Sequence, residues 1–120
     1  KERGAKIVVT VDCGTLSFEP LQAAREAGLE VIVVDHHLGS AERPAALAVV
    51  NPNRLDETSP HRQLAAVGVA FLLAVAVCRV LREKNWFAAR TPPDLLSLLD
   101  LVALGTVCDV VPLTGVNRAM

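Results

Sequence analysis

The chain has 120 residues, 52% of them hydrophobic, with 12 Lys+Arg against 13 Asp+Glu for a formal net charge of −1. That length accommodates one domain with a real core, and the near-neutral charge excludes an autonomous polyanion-binding module, whose footprint is basic. Three Phe, one Trp and no Tyr leave little material for a base-stacking platform.

Val, Leu and Ala supply the apolar content, and mean hydropathy is +0.39. This composition fits parallel strands covered on both faces by helices. Residues 1–60 carry six basic and nine acidic side chains, residues 61–120 six and four, so cation ligands are sought in the first half. Cys13, Cys78 and Cys108 form no CxxC pair; a reducing cytoplasm is the simpler setting, with the three thiols as small buried hydrophobes. The chain opens at Lys1 rather than Met, which suggests an internal piece of a longer protein, and no secretory leader is visible.

Lys6 to Val11 is a β-branched run that ends in Asp12-Cys13-Gly14 and predicts a buried strand. Ser17 is placed to cap a helix that Gly28 stops, with Leu21, Ala24 and Ala27 facing inward. Glu30 to Val34 predicts a second strand ending in Asp35-His36-His37. Leu47 to Val50 predicts a third, ending in Asn51-Pro52-Asn53. Together these make a βαβ unit and one further parallel strand. A polar loop, Arg54 to Arg62, precedes a helix from about Leu64 to Lys84 that is apolar nearly all round, and therefore expected inside the molecule or under a partner. Its apolar stretch, Leu64 to Cys78, would span roughly 22 Å, short of the ~30 Å bilayer core, so no membrane span is expected. Thr91-Pro92-Pro93-Asp94 reads as the cap of a Leu-rich helix that Gly105 ends. Thr106 to Leu113 then reads as a connection, and Gly115 to Met120 as the start of a last helix.

In a parallel sheet, ligands collect outside the carboxyl ends of the strands, where loops converge. Asp12 and Asp35-His36-His37 both stand immediately after a predicted strand. A carboxylate and imidazole set suits Mn²⁺, Zn²⁺, Fe²⁺ or Mg²⁺. Gly14 allows close backbone approach, and the helix start near Ser17 offers amide donors to a phosphate. Each position also has a bland reading: Asp12 as a turn residue, His36 and His37 as surface histidines. Asp109 stands in the apolar run Val107 to Val111, where a carboxylate costs several kcal/mol unless it is paired. A cation or a hydrogen-bond partner would meet that need, and so would a cap to neighbouring backbone. Asp100 reads as structural, and His61 as solvated.

Four blocks, Val11-Asp12-Cys13-Gly14, Asp35-His36-His37, Ala65 to Phe71 and Leu99 to Leu113, resemble in order the motifs of the DHH phosphoesterases. The last two resemble those of the RecJ-type single-stranded-DNA exonucleases within that family. The resemblance implies an α/β fold, a mainly parallel sheet with flanking helices, covering residues 1–120 as a partial DHH domain. It further implies a Mn²⁺- or Mg²⁺-dependent two-metal phosphodiesterase that removes nucleotides from the 5′ end of single-stranded DNA in repair and recombination. By motif, Asp12 bridges the two cations, and His36 and Asp109 complete the ligands of one. His37 faces the scissile phosphate, with Gly14 close to it, and Asp35 orients the two histidines. The family's aspartate-rich first motif and its C-terminal nucleic-acid-binding domain have no counterpart here. The metal site is therefore expected to be incomplete, and the 120-residue chain inactive alone and prone to self-association through exposed apolar surface. A DHH enzyme acting on short oligonucleotides, cyclic dinucleotides or pyrophosphate is the sibling alternative. A catalytically silent DHH scaffold is the alternative from another class.

Overall fold

The structure, a computed structural model, describes residues 4–120. Three strands, β1 (Ile7–Val11), β2 (Glu30–Val34) and β3 (Ala48–Val50), form a parallel sheet in the order β1-β2-β3. The register pairs Val9 with Ile32 and Val11 with Val34, and then Ile32 with Ala48 and Val34 with Val50. Because side chains alternate along a strand, this register sorts the sheet into two faces. One carries Val8, Val31, Val33 and Val49 and packs under Leu21 and Ala24 of α1 (Phe18–Glu26). The other carries Ile32, Val34 and Val50 and packs under Leu64 and under Val69, Ala70 and Leu73 of α2 (Ala66–Glu83). Val31, Val33 and Val34 of β2 are buried across both faces, as parallel pairing requires, whereas β1, expected as a buried strand, is an edge strand whose Ile7, Val9 and Val11 stay 49–54% exposed.

α1 ends as predicted at Gly28, which adopts φ +73° while its N–H reaches the Arg25 carbonyl and the Leu29 N–H reaches Ala24. This paired closure satisfies the last carbonyls of the helix and favours glycine at the left-handed position. Ser17 precedes the helix but makes no side-chain cap bond. A 3-10 turn (Leu96–Leu98), α3 (Leu99–Cys108), packed on α2, and the short α4 (Val116–Ala119) complete the chain.

Three expectations are corrected. Asp94, not Thr91, caps the C-terminal helical segment, its Oδ1 accepting from the Leu96 N–H at 3.1 Å. Gly105 lies inside α3 instead of ending it, and a Cβ there would stand 2.8 Å from Val67 Cγ1, so the glycine serves the approach of two helices. α2 is not enclosed: Leu72, Val75, Val77 and Val80 remain 37–47% exposed, and only Ala66, Gly68, Val69 and Cys78 are buried. Among the described residues no helix is long and apolar enough to cross a membrane.

Candidate metal centre

The carboxyl ends of all three strands and the C-terminus of α3 meet at one rim. β1 delivers Asp12, which sits at φ +66° with its N–H bonded to the Val34 carbonyl at 2.9 Å. Asp is among the few residue types that tolerate this left-handed conformation. β2 delivers Asp35, His36 and His37. α3 delivers Asp109, its C-cap residue, and the next residue, Val110, takes φ +56°. A β-branched residue in that region is strained. Two of the carboxylates that the sequence analysis selected therefore sit on or beside unusual backbone.

His36 Nε2 lies 3.2 Å from Asp12 Oδ1 and 3.4 Å from Asp109 Oδ2. The nitrogen is buried and has no hydrogen-bond partner, since the carboxylate oxygens stand off the direction of an N–H. Neither carboxylate has a Lys or Arg within salt-bridge distance among the described residues. Two carboxylates around an orphaned imidazole nitrogen, with no compensating cation from the protein, form a donor set that fits a divalent metal. Ligand atoms of Asp12, His36 and His37 also lie within 4.8 Å of one another.

Asp35 is buried and does a different job. Its Oδ1 accepts from the His36 and His37 backbone N–H groups at 2.8 and 3.3 Å and contacts His37 Nδ1 at 2.7 Å, while Oδ2 accepts from the Thr15 N–H at 2.9 Å. Burial pushes the Asp35 carboxyl up, yet the hydrogen bonds from Thr15, His37 and His36 outweigh it and hold the group well below the usual carboxylate range. The bond to Asp35 in turn raises His37, against a smaller lowering by desolvation. Asp35 thus aligns the ring of His37 but only the backbone of His36. His37 is largely exposed and stands edge-on to His36, with ring centroids 4.5 Å apart.

Gly14 is buried at φ +117°, and a Cβ would stand 2.9 Å from Thr10 Oγ1 and 3.0 Å from Val33 Cγ1. Internal packing alone therefore accounts for the glycine. Cys13 and Cys108 are exposed beside Asp12 and Asp109, contrary to the expectation of buried thiols, and Cys78 is buried. Asp100 is exposed and accepts from the Leu101 N–H, and His61 is exposed as expected. A groove of about 420 Å³ runs between β1, α2 and α3, with Asp12 and Asp109 in its lining. A second cleft, about 460 Å³, lies between β3, its following loop and α2 and contains none of the clustered residues. Thr15, Asn51 and Asn53, which were not among the predicted site residues, brace the rim. The same rule that selected Asp12, a polar residue directly after a strand, would have found Asn51, which follows β3.

Residues 2–106 match the DHH family, N-terminal domain. The single-stranded-DNA-specific exonuclease RecJ of Salmonella typhimurium is 51% identical over 100% of this chain and 21% of its own length; that of Escherichia coli is 51% identical over 98% and 21%. The chain thus spans about a fifth of the length of these relatives. A crystal structure of exonuclease RecJ bound to manganese superposes with a TM-score of 0.73 at 38% identity, covering 98% of this chain and 27% of that one. The Thermus thermophilus RecJ structure in complex with Mn²⁺ gives 0.71 at 37%, covering 98% and 16%. With its parallel sheet, its strand-end carboxylates and the Asp35-His36-His37 run, the chain belongs to the DHH family.

Proposed function

We propose that this chain is part of a RecJ-type exonuclease that hydrolyses single-stranded DNA from the 5′ end, serving DNA repair and recombination in the cytoplasm. The observation that carries this reading is His36 Nε2, buried and without a hydrogen bond between Asp12 and Asp109. The identity to RecJ exonucleases and the likeness to manganese-bound RecJ structures support it. Asp12, His36 and Asp109 would hold a divalent cation, Mn²⁺ or Mg²⁺, with Asp12, the most exposed of the three, free to share its second oxygen with another. Bound there, such cations supply Lewis acidity at the phosphate and lower the pKa of a bound water.

The chain's own residues do the rest. Asp35 raises the His37 pKa above that of a free imidazole and holds the ring at the open side of the rim, where a phosphodiester oxygen can accept from its other nitrogen. Asp12, His36 and Asp109 would together hold one cation, and a second would need donors beyond these three. A partial DHH domain, residues 1–120, is accordingly proposed to be inactive by itself and to self-associate through its exposed apolar surface.

The test is degradation of a 3′-labelled single-stranded oligonucleotide by the complete protein with Mn²⁺. Stepwise loss from the 5′ end, abolished by chelator and by Asp12→Ala or His36→Ala, is expected. Turnover that survives either substitution would contradict the assignment.

A further inference from the structure

Metal-ligating histidines ordinarily have their second ring nitrogen tied to a carboxylate or carbonyl, which sets the aim of the ring. Among the described residues no protein group fills this role for His36, whose ring nitrogens make no hydrogen bond to the protein; the protein guides its aim through its backbone and through packing against His37. That backbone is held from an unexpected side, by the turn after β3. Asn53 Nδ2 donates to the His36 carbonyl at 2.6 Å and to the Arg62 carbonyl at 3.0 Å. Asn51 Nδ2 donates to the His37 carbonyl and to Thr15 Oγ1, both at 2.8 Å, while its Oδ1 accepts from the Asn53 N–H at 2.8 Å.

From this geometry we infer that Asn51 and Asn53 are positioning residues, clamping the His36 and His37 carbonyls so that His36 Nε2 stands between Asp12 and Asp109. The inference rests on the proposed metal-ligating role of His36. The Asn51 Oδ1 bond to Asn53 is a local turn bond, common after strands. The amide donors are different: they reach carbonyls 14 and 17 residues away and a hydroxyl 36 residues away, none of which the turn needs. They also close a ring through three loops. Asp35 accepts from Thr15, Thr15 accepts from Asn51, Asn51 donates to the carbonyl of His37, and the ring of His37 returns to Asp35. Asn51 is 3% exposed, so water does not readily replace its bonds. The loops after β1, β2 and β3 are thereby locked in one register, and only Asp109 arrives from outside the lock.

The experiment measures Mn²⁺ affinity by calorimetric titration, and metal-free thermal stability, for the complete protein and its variants Asn53→Ala, Asn51→Ala, His36→Ala and Leu21→Ala. Leu21 lies in the core on the opposite face of the sheet and controls for general destabilisation. Each asparagine variant is expected to bind Mn²⁺ roughly 10–100-fold more weakly, the range for supporting residues around a metal, while Leu21→Ala loses stability and keeps wild-type affinity. Should Asn51→Ala fail to fold, Asn53, which is only partly buried, carries the test alone. Wild-type Mn²⁺ affinity in Asn53→Ala, with or without a lower melting temperature, overturns the positioning role. An unchanged titration in His36→Ala overturns instead the metal-site reading on which it rests.

Discussion

Asp35 shows how much one buried carboxylate organises here. Four donors converge on its two oxygens, and replacing it by Asn sets an amide N–H₂ against some of them. Asp35→Asn is expected to cost about 1–3 kcal/mol of stability at neutral pH, the penalty for leaving buried polar groups unmatched. The pH dependence follows from the same bonds. A carboxyl held below its ordinary pKa of 3.8 contributes stability above that value and loses it as the pH falls toward the depressed one. His37, raised above 6.5, contributes below 6.5 and loses its share as the pH climbs through the raised value. Because His37 is largely exposed, solvent screens its share, and the acid limb carries the larger change. Urea melts across pH 2–9 should show wild-type stability falling below about pH 4 more steeply than that of Asp35→Asn. Parallel acid limbs would contradict the role given to this carboxylate.

At the scale of elements, α3 decides where Asp109 stands, and two of its residues make that visible. Gly105 lets α3 approach Val67 of α2. Gly105→Ala gains about 1 kcal/mol of helix propensity but forces a contact against a stiff β-branched side chain, which costs about 1–3 kcal/mol. A lower melting temperature and weaker Mn²⁺ binding are expected, since α3 carries Asp109 away as it shifts. A higher melting temperature would refute the close-approach argument. Val110, 86% exposed and at φ +56°, has no packing to lose, so Val110→Gly should relieve strain and stabilise by about 1 kcal/mol, read as a rise in melting temperature. The sheet was legible in the sequence because β-branched runs with polar ends need only local reading. Asp12 and the Asp35-His36-His37 run followed from their place after strands; Asp109 was singled out for a burial cost that the structure does not impose, since Asp109, Val107 and Val110 are all exposed. The role of Gly105 was not legible, because its cause is a neighbour 38 residues earlier. The position of Asn51 after β3 was legible, but the role of Asn51 and Asn53 was not, because their donors act on carbonyls of another strand's loop. The exposure of α2 escaped too, since an apolar sequence states a need for burial without stating what provides it.

Across the whole molecule, the second sheet face is only partly covered. Ile7, Val9 and Val11 of edge strand β1 are 49–54% exposed, and Leu101, Leu104 and Val107 of α3 are 56–61% exposed. Burial is worth roughly 25 cal/mol per Å², so a few hundred Å² of this surface favours association by several kcal/mol before ordering costs. The 120-residue chain is expected to form a dimer at micromolar concentration in sedimentation velocity, and Val9→Lys, which places a charge on an open edge strand, to shift it to monomer. A monomeric wild-type chain would contradict this. The centre itself gathers residues from every part of the fold: one carboxylate from β1, the histidine from β2, the clamp from the turn after β3 and a second carboxylate from α3. The most direct measurement of that convergence is an anomalous difference map from crystals of the protein soaked in Mn²⁺. A manganese peak within coordination distance of His36 Nε2 and of the Asp12 and Asp109 carboxylates is the predicted result; manganese bound elsewhere, with none at these three side chains, would contradict it.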